Sequence, residues 1–98
     1  MTRDEIVAKL RANASAIQAE GVTKLALFGS RARGDMRDDS DIDVLIEVPA
    51  DSDFSLLNLI GIEHIITDAT GLPAQATLRR SIEPSMAARI ADDIVEIF

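Results

Sequence analysis

Two short stretches carry residue types that can do chemistry together: Gly29-Ser30-Arg31-Ala32-Arg33-Gly34 and, after a brief loop, Asp41-Ile42-Asp43. A glycine at 29 lets the backbone turn sharply off a preceding strand and come close to a ligand. Ser30 adds a hydroxyl donor where a turn of helix would aim its free amides, an arrangement that suits phosphate. Arg31 and Arg33 either neutralise that phosphate or sit on the surface and balance the acidic loop that follows. Asp41 and Asp43 pose the complementary problem. Two carboxylates on one face of a strand repel each other and are costly near a core unless a cation neutralises them, and hard oxygen donors favour Mg²⁺ or Mn²⁺. The bland alternative is a solvated strand start within the run Asp38-Asp39-Ser40-Asp41. A phosphate-holding turn on one strand beside a metal-holding pair on the next points instead to a metal-bound triphosphate, and to phosphoryl or nucleotidyl transfer.

The surrounding sequence must supply strands at the right places. Val22 to Phe28 is a short apolar run ended by Gly29, the length of a buried strand. Asp41 to Val48 alternates, so Asp41 and Asp43 share one face while Ile42, Val44, Ile46 and Val48 fall on the other, toward a helical layer. Leu45 continues the carboxylate face into buried territory, and Pro49 ends the strand. Before this unit, Thr2 and Glu5 form a capping-box pattern, and Ile6, Leu10, Ala14 and Ile17 recur at helical spacing until Gly21, which predicts one helix over about 3–20. After it, Ser52 or Asp53 can cap an apolar helix from Phe54 to about Thr70, with Gly61 as an unfavourable interior residue. His64 within it reads as a surface or satisfied buried residue. Gly71-Leu72-Pro73 makes a turn, Ala74 to Leu78 a short strand, Pro84 opens a last helix through Met86 and Ile90, and Ile94 to Phe98 returns as an edge strand.

Length and composition bound what this unit can be. The chain has 98 residues, 47% hydrophobic and 28% charged, which fits one small globular domain spanning 1–98. There is no cysteine, so disulfides and thiolate metal sites are excluded. The formal net charge of −7 argues against strong nucleic-acid binding, and three Phe without Trp or Tyr leave almost no platform for stacking bases. A cation or a basic partner is easier to accommodate. No apolar stretch approaches a membrane span and no secretory leader is visible, so the expectation is a cytoplasmic protein without membrane contact.

Gly29-Ser30, Gly34, Ser40, Asp41 and Asp43 resemble the glycine-serine, then Asp-x-Asp signature of DNA polymerase β-like nucleotidyltransferases. By size and layout the chain is similar to the minimal nucleotidyltransferases from the first helix onward. The resemblance implies an α/β (α+β) fold, a small mixed sheet of three or four strands with helices packed against it. It also implies Mg²⁺ as cofactor and ATP as substrate, Asp41 and Asp43 as catalytic metal ligands, and Gly29, Ser30, Arg31 and Ser40 at the nucleotide. In that family the partner is often a HEPN-domain toxin, and the minimal nucleotidyltransferase is its antitoxin, transferring AMP from ATP to it. One position departs from the pattern: family members supply a third carboxylate from the next strand, and here Gln75 stands in that place, with Glu63 and Asp68 as the other carboxylates considered for it. An amide oxygen can still coordinate a metal but brings no charge and is a poor acceptor for a hydroxyl proton. The alternative is therefore a non-catalytic antitoxin that keeps the fold and neutralises its partner by binding.

Overall fold

A capping box opens the first helix of the computed structural model, which describes residues 2–29, 32 and 41–98. The Thr2 hydroxyl accepts from the Glu5 backbone N–H at 3.2 Å, and the Glu5 carboxylate accepts from the Thr2 N–H at 3.4 Å, satisfying two of the helix's free donors. Helix α1 runs Arg3–Ala12 and α2 runs Ala14–Ala19, so the single helix expected over 3–20 is broken at Asn13. The cause is local. Asn13 leaves helical geometry (φ −102°, ψ 12°) and its side-chain amide donates to the Lys9 carbonyl at 2.8 Å, an alternative to the helix ladder that Asn offers readily. Ile6, Leu10 and Ile17 nevertheless all remain fully buried.

Strand β1 (Lys24–Phe28) and β2 (Ile42–Glu47) pair antiparallel, with Lys24 opposite Glu47 and Phe28 opposite Asp43. Helix α3 (Leu56–Thr70) then crosses to β3 (Ala74–Leu78), which lies parallel to β2. The cap of α3 is Ser55, with Asn58 completing a capping box, and not Ser52 or Asp53. The Ser52 N–H donates to the Pro49 carbonyl at 3.1 Å, so residues 49–52 are spent on a turn before the helix can start. Gly61 does not break α3: its missing Cβ makes room for the Glu20 carboxylate, which would lie 3.3 Å from that atom and which accepts from Asn58 Nδ2 at 3.0 Å. Gly71 ends the helix in the left-handed region (φ +74°), its N–H donating to the Thr67 carbonyl at 2.7 Å. Helix α4 (Pro84–Ile90) begins with Pro at its first turn, and β4 is short, Val95–Glu96, pairing antiparallel with β1.

The sheet order is β3-β2-β1-β4, a four-stranded mixed sheet, which is the expected fold class. Its main core lies on one face, where Leu25, Leu27, Ile42, Val44 and Ile46 meet Ile6, Leu10, Ile17, Ile62 and Ile66. On the opposite face Ala26, Phe28 and Leu45 are covered by Ile82, Ile90 and Ile94. Leu45 thus anchors the same face that carries Asp43, as the alternation of β2 requires. The exposed edge of β3 is sealed where the Glu63 carboxylate accepts from the Ala76 N–H at 2.9 Å. At the far end of the strands Arg79 bridges Glu47 at 3.3 Å and Glu96 at 3.8 Å. No described helix is long and apolar enough to cross a membrane. Because Ile66 is fully buried at the centre of the helical layer, Ile66→Ala is expected to cost about 2–5 kcal/mol, a large fraction of a total near 5–15 kcal/mol, measurable as a lower urea midpoint.

Candidate functional site

Asp41 immediately precedes β2 and Asp43 is its second residue, so both side chains leave the sheet on one face at the end of the strand. Asp43 is half-buried and sits between Phe28 of β1 and Gln75 of β3 in the pairing register. Gly29 follows Phe28 directly and takes φ +79°, a conformation that a side chain disfavours. A Cβ built on Gly29 would lie 2.7 Å from Asp43 Oδ2 and 3.5 Å from Asp43 Cγ. The glycine turn and the second carboxylate are therefore in contact. The glycine serves a purpose the sequence does not declare: it leaves room for the Asp43 carboxylate.

Burial, and then the charge of Asp41 beside it, raises the pKa of Asp43 above the usual 3.8. Ionised Asp43 is thus held against a desolvation and repulsion penalty that a cation would relieve. The donor set fits such an ion: two carboxylates with hard oxygens on one face. Among the described residues no cluster of three His, Cys, Asp or Glu side chains could share a metal, so among them the Asp pair supplies the carboxylates.

Gln75 lies on β3 beside the carboxylate pair. It pairs with Asp43 across β2 and β3, and its Nε2 donates to Asp41 Oδ2 at 3.2 Å. The reverse amide orientation would set oxygen against carboxylate oxygen, so hydrogen-bond chemistry selects this one. Neither proposed substitute for a third carboxylate joins the pair. Glu63 is committed to the β3 edge, and Asp68 lines a groove with Lys9, Asn13 and Ile65 between the first two helices and α3. His64 is an exposed helix residue. Of the other predicted residues, Ser30, Arg31, Arg33, Gly34 and Ser40 lie outside the described residues.

Gly29→Ala would place its methyl against Asp43 Oδ2 and force a non-glycine residue into the left-handed region, at a cost of about 1–2 kcal/mol for the backbone alone. The expected outcome is a lower thermal midpoint together with weakened Mg²⁺-ATP binding. Wild-type ATP affinity in this variant would show that the close approach has no functional weight.

A family model described as a nucleotidyltransferase domain matches residues 7–97. The chain is 29% identical over 101 residues to the protein adenylyltransferase MntA of Thermococcus cleftensis, covering 99% of this chain and 97% of that protein. It is 35% identical over 77 residues to a Methanocaldococcus jannaschii protein named as a candidate protein adenylyltransferase, covering 78% and 76%. Among solved structures, one described as a candidate minimal nucleotidyltransferase superposes with a TM-score of 0.80 at 23% identity, over 97% of this chain and 95% of that one. The crystal structure of a toxin-antitoxin with AMP-PNP superposes with a TM-score of 0.68 at 18% identity, over 100% and 73%. At those identities the two superpositions establish the shared fold. With the family match spanning nearly the whole chain, and Asp43 packed against a glycine turn at the end of its central strands, the chain belongs to the nucleotidyltransferase domain family.

Proposed function

We propose that this chain is a Mg²⁺-dependent nucleotidyltransferase that moves AMP from ATP onto a hydroxyl of a partner protein, as the antitoxin of a HEPN-type toxin. The observation that carries the reading is the contact between Gly29 and Asp43, which brings a turn suited to phosphate and a carboxylate pair suited to a divalent ion together. Asp41 and Asp43 would hold Mg²⁺, and Gly29, Ser30, Arg31 and Ser40 would seat the nucleotide. The ion would offset phosphate charge and fix the orientation of the triphosphate. The protein's own part is positioning: β2 fixes both carboxylates on one face, and Gly29 lets the backbone approach without a side chain in the way. In the overall reaction the acceptor oxygen bonds to the α-phosphorus, pyrophosphate leaves, and the hydroxyl proton passes to solvent or a nearby base.

The names of the relatives support this reading, since two are protein adenylyltransferases by name or candidate name and a fold neighbour is a toxin-antitoxin solved with AMP-PNP. The acidic net charge of −7 favours a basic protein partner over nucleic acid. ATP and Mg²⁺ as reactants fit a cytoplasmic setting.

A second reading is favoured by a specific observation, the Gln75 amide bonded to Asp41 where the family pattern supplies a carboxylate. A chain with that substitution could keep nucleotide and partner binding while losing most transfer, and act as a stoichiometric antitoxin. Incubation with an excess of the candidate toxin and Mg²⁺-ATP separates the two. The enzyme neutralises more than one equivalent and leaves one AMP of added mass on the partner by intact mass spectrometry. Neutralisation that stops at one equivalent with no mass change would refute transfer and favour the binder.

A further inference from the structure

We infer that the outer face of α3 is a docking surface for a partner protein, and that its occupant is an amphipathic helix whose apolar stripe is edged by Lys and Arg. The inference rests on the reading above that this chain binds a protein, and it names the surface and the chemistry of what that surface holds.

Helix α3 is apolar on more sides than the fold buries. Ile62 and Ile66 fill the core, yet Leu56 is 69% exposed, Leu57 79% and Ile60 38%. These residues form one stripe, because positions three and four apart adjoin on a helix: Ile60 touches the turn of Leu56 and Leu57 on one side and that of the exposed His64 on the other. An apolar face of this kind on a small domain marks contact with something else. Asp68, four residues beyond His64, joins the stripe to a groove of about 450 Å³ between the first two helices and α3. Ala12, Ala16 and Ala69 line that groove, and their small side chains let another helix come close. Apolar anchors beside a groove suit a helix whose own apolar residues recur at three and four positions.

Charge selects the occupant. The Glu20 carboxylate lies over Gly61, four residues on from Leu57, and Glu63, three residues on from Ile60, stands on the β3 side. Asp51 and Asp53 are exposed just ahead of the helix, and Asp68 lies at the groove. Against these carboxylates the groove offers Lys9, while Lys24 leaves β1 on the face of Ala26, away from the helical layer. An acidic rim around an apolar centre repels nucleic acid, an anionic membrane and a second copy of a chain of net charge −7, and it attracts cationic side chains. The surface is also separate from the Asp pair. The chain leaves β2 at Glu47, so α3 starts at the end of that strand remote from Asp41, and it packs on the opposite face of the sheet from Asp43 and Leu45. Docking and nucleotide binding can therefore be separated by mutation.

The test titrates the full chain, without nucleotide, with a synthetic amphipathic helix of Leu and Lys and with its counterpart in which Glu replaces Lys. Binding is read by fluorescence anisotropy and mapped by amide chemical shifts. The Lys peptide is expected to bind, more weakly as salt rises, with shifts at Leu56, Leu57, Ile60 and His64; the Glu peptide is expected not to bind. Leu57→Asp should weaken binding at least about tenfold although it adds negative charge, because it removes an apolar anchor. Attraction by charge alone would grow with that substitution, so unchanged or tighter binding overturns the inference. No binding, equal binding of the Glu peptide, or shifts confined to another face would overturn it too. Leu57 lies in the first turn of α3, where an acidic side chain favours the helix, so the variant is expected to keep or raise the parent's melting temperature. Ser85→Asp puts the same charge on the exposed first turn of α4 and should bind as the parent does; a loss equal to that of Leu57→Asp would contradict the assignment. Sedimentation of the peptide-free chain is expected to show a monomer. A dimer that Leu57→Asp dissociates would give the face to a second copy and overturn the inference. No readout here involves AMP transfer, so a failed transfer assay leaves docking standing, and failed docking leaves the nucleotidyltransferase reading standing.

Discussion

Replacing Asp43 by Asn will raise the melting temperature of the metal-free protein at neutral pH and remove its stabilisation by Mg²⁺ and ATP. Both effects follow from the same environment. Burial and the neighbouring Asp41 charge raise the Asp43 pKa, so the folded state binds a proton more readily than the unfolded chain does. The parent's stability therefore increases as pH falls through the raised folded pKa, and the penalty of ionised Asp43 is fully present above it. Asn carries no such charge, so the advantage of the variant is greatest near pH 7 and disappears toward and below 3.8, where the carboxyl is neutral in both states. With ligand the order reverses. Mg²⁺-ATP at about 100 times its dissociation constant stabilises by about 2.7 kcal/mol, which for a chain of this length raises Tm by roughly 10–20 °C. That rise is expected for the parent and absent in Asp43→Asn. A variant no more stable than the parent in EDTA at pH 7 would mean that Asp43 is already neutralised by the protein itself.

Restoring a carboxylate at position 75 is expected to increase transfer of AMP to the partner by about 100-fold or more, the lower end of what a positioned proton acceptor contributes. Gln75→Asp puts negative charge opposite Asp43 in the β2–β3 register, where the amide now donates to Asp41. Nucleotide affinity should change much less than rate, because the proposed Mg²⁺ would already have the two Asp ligands. Single-turnover transfer with radiolabelled ATP, compared with equilibrium ATP binding, resolves the two. No gain in rate would mean that the third position of the constellation lies elsewhere, or that the chain is built to transfer without it.

Much of this arrangement was legible because it depends on short-range geometry. The period of two along a strand places Asp41 with Asp43 and sends Leu45 to the same face, and the structure has Leu45 buried there under Ile82, Ile90 and Ile94. Gly71 and Pro84 mark the end of α3 and the start of α4, where their backbone preferences demand. What could not be read depends on competition between neighbours or on contacts across the fold. Leu10 and Ile17 are buried whether or not Asn13 interrupts the helix, so periodicity cannot reveal the break. Ser52, Asp53 and Ser55 are all competent caps, and the turn that consumes residues 49–52 selects the last. The commitments of Glu63 to the β3 edge, of Glu20 to Asn58 and Gly61, and of the Gln75 amide to Asp41 link distant segments. No local pattern encodes them.

The central claim is that the two Asp carboxylates and the glycine turn form one site for a metal-bound triphosphate. Calorimetric titration of ATP into the parent chain and into the Asp41→Ala plus Asp43→Ala double variant, each with and without Mg²⁺, tests it most directly. The account predicts Mg²⁺-dependent binding by the parent and a loss of at least about 100-fold in the double variant, since even groups that only orient metal ligands are worth 10–100-fold. Equal ATP affinity in the two proteins, or binding indifferent to Mg²⁺, would contradict it.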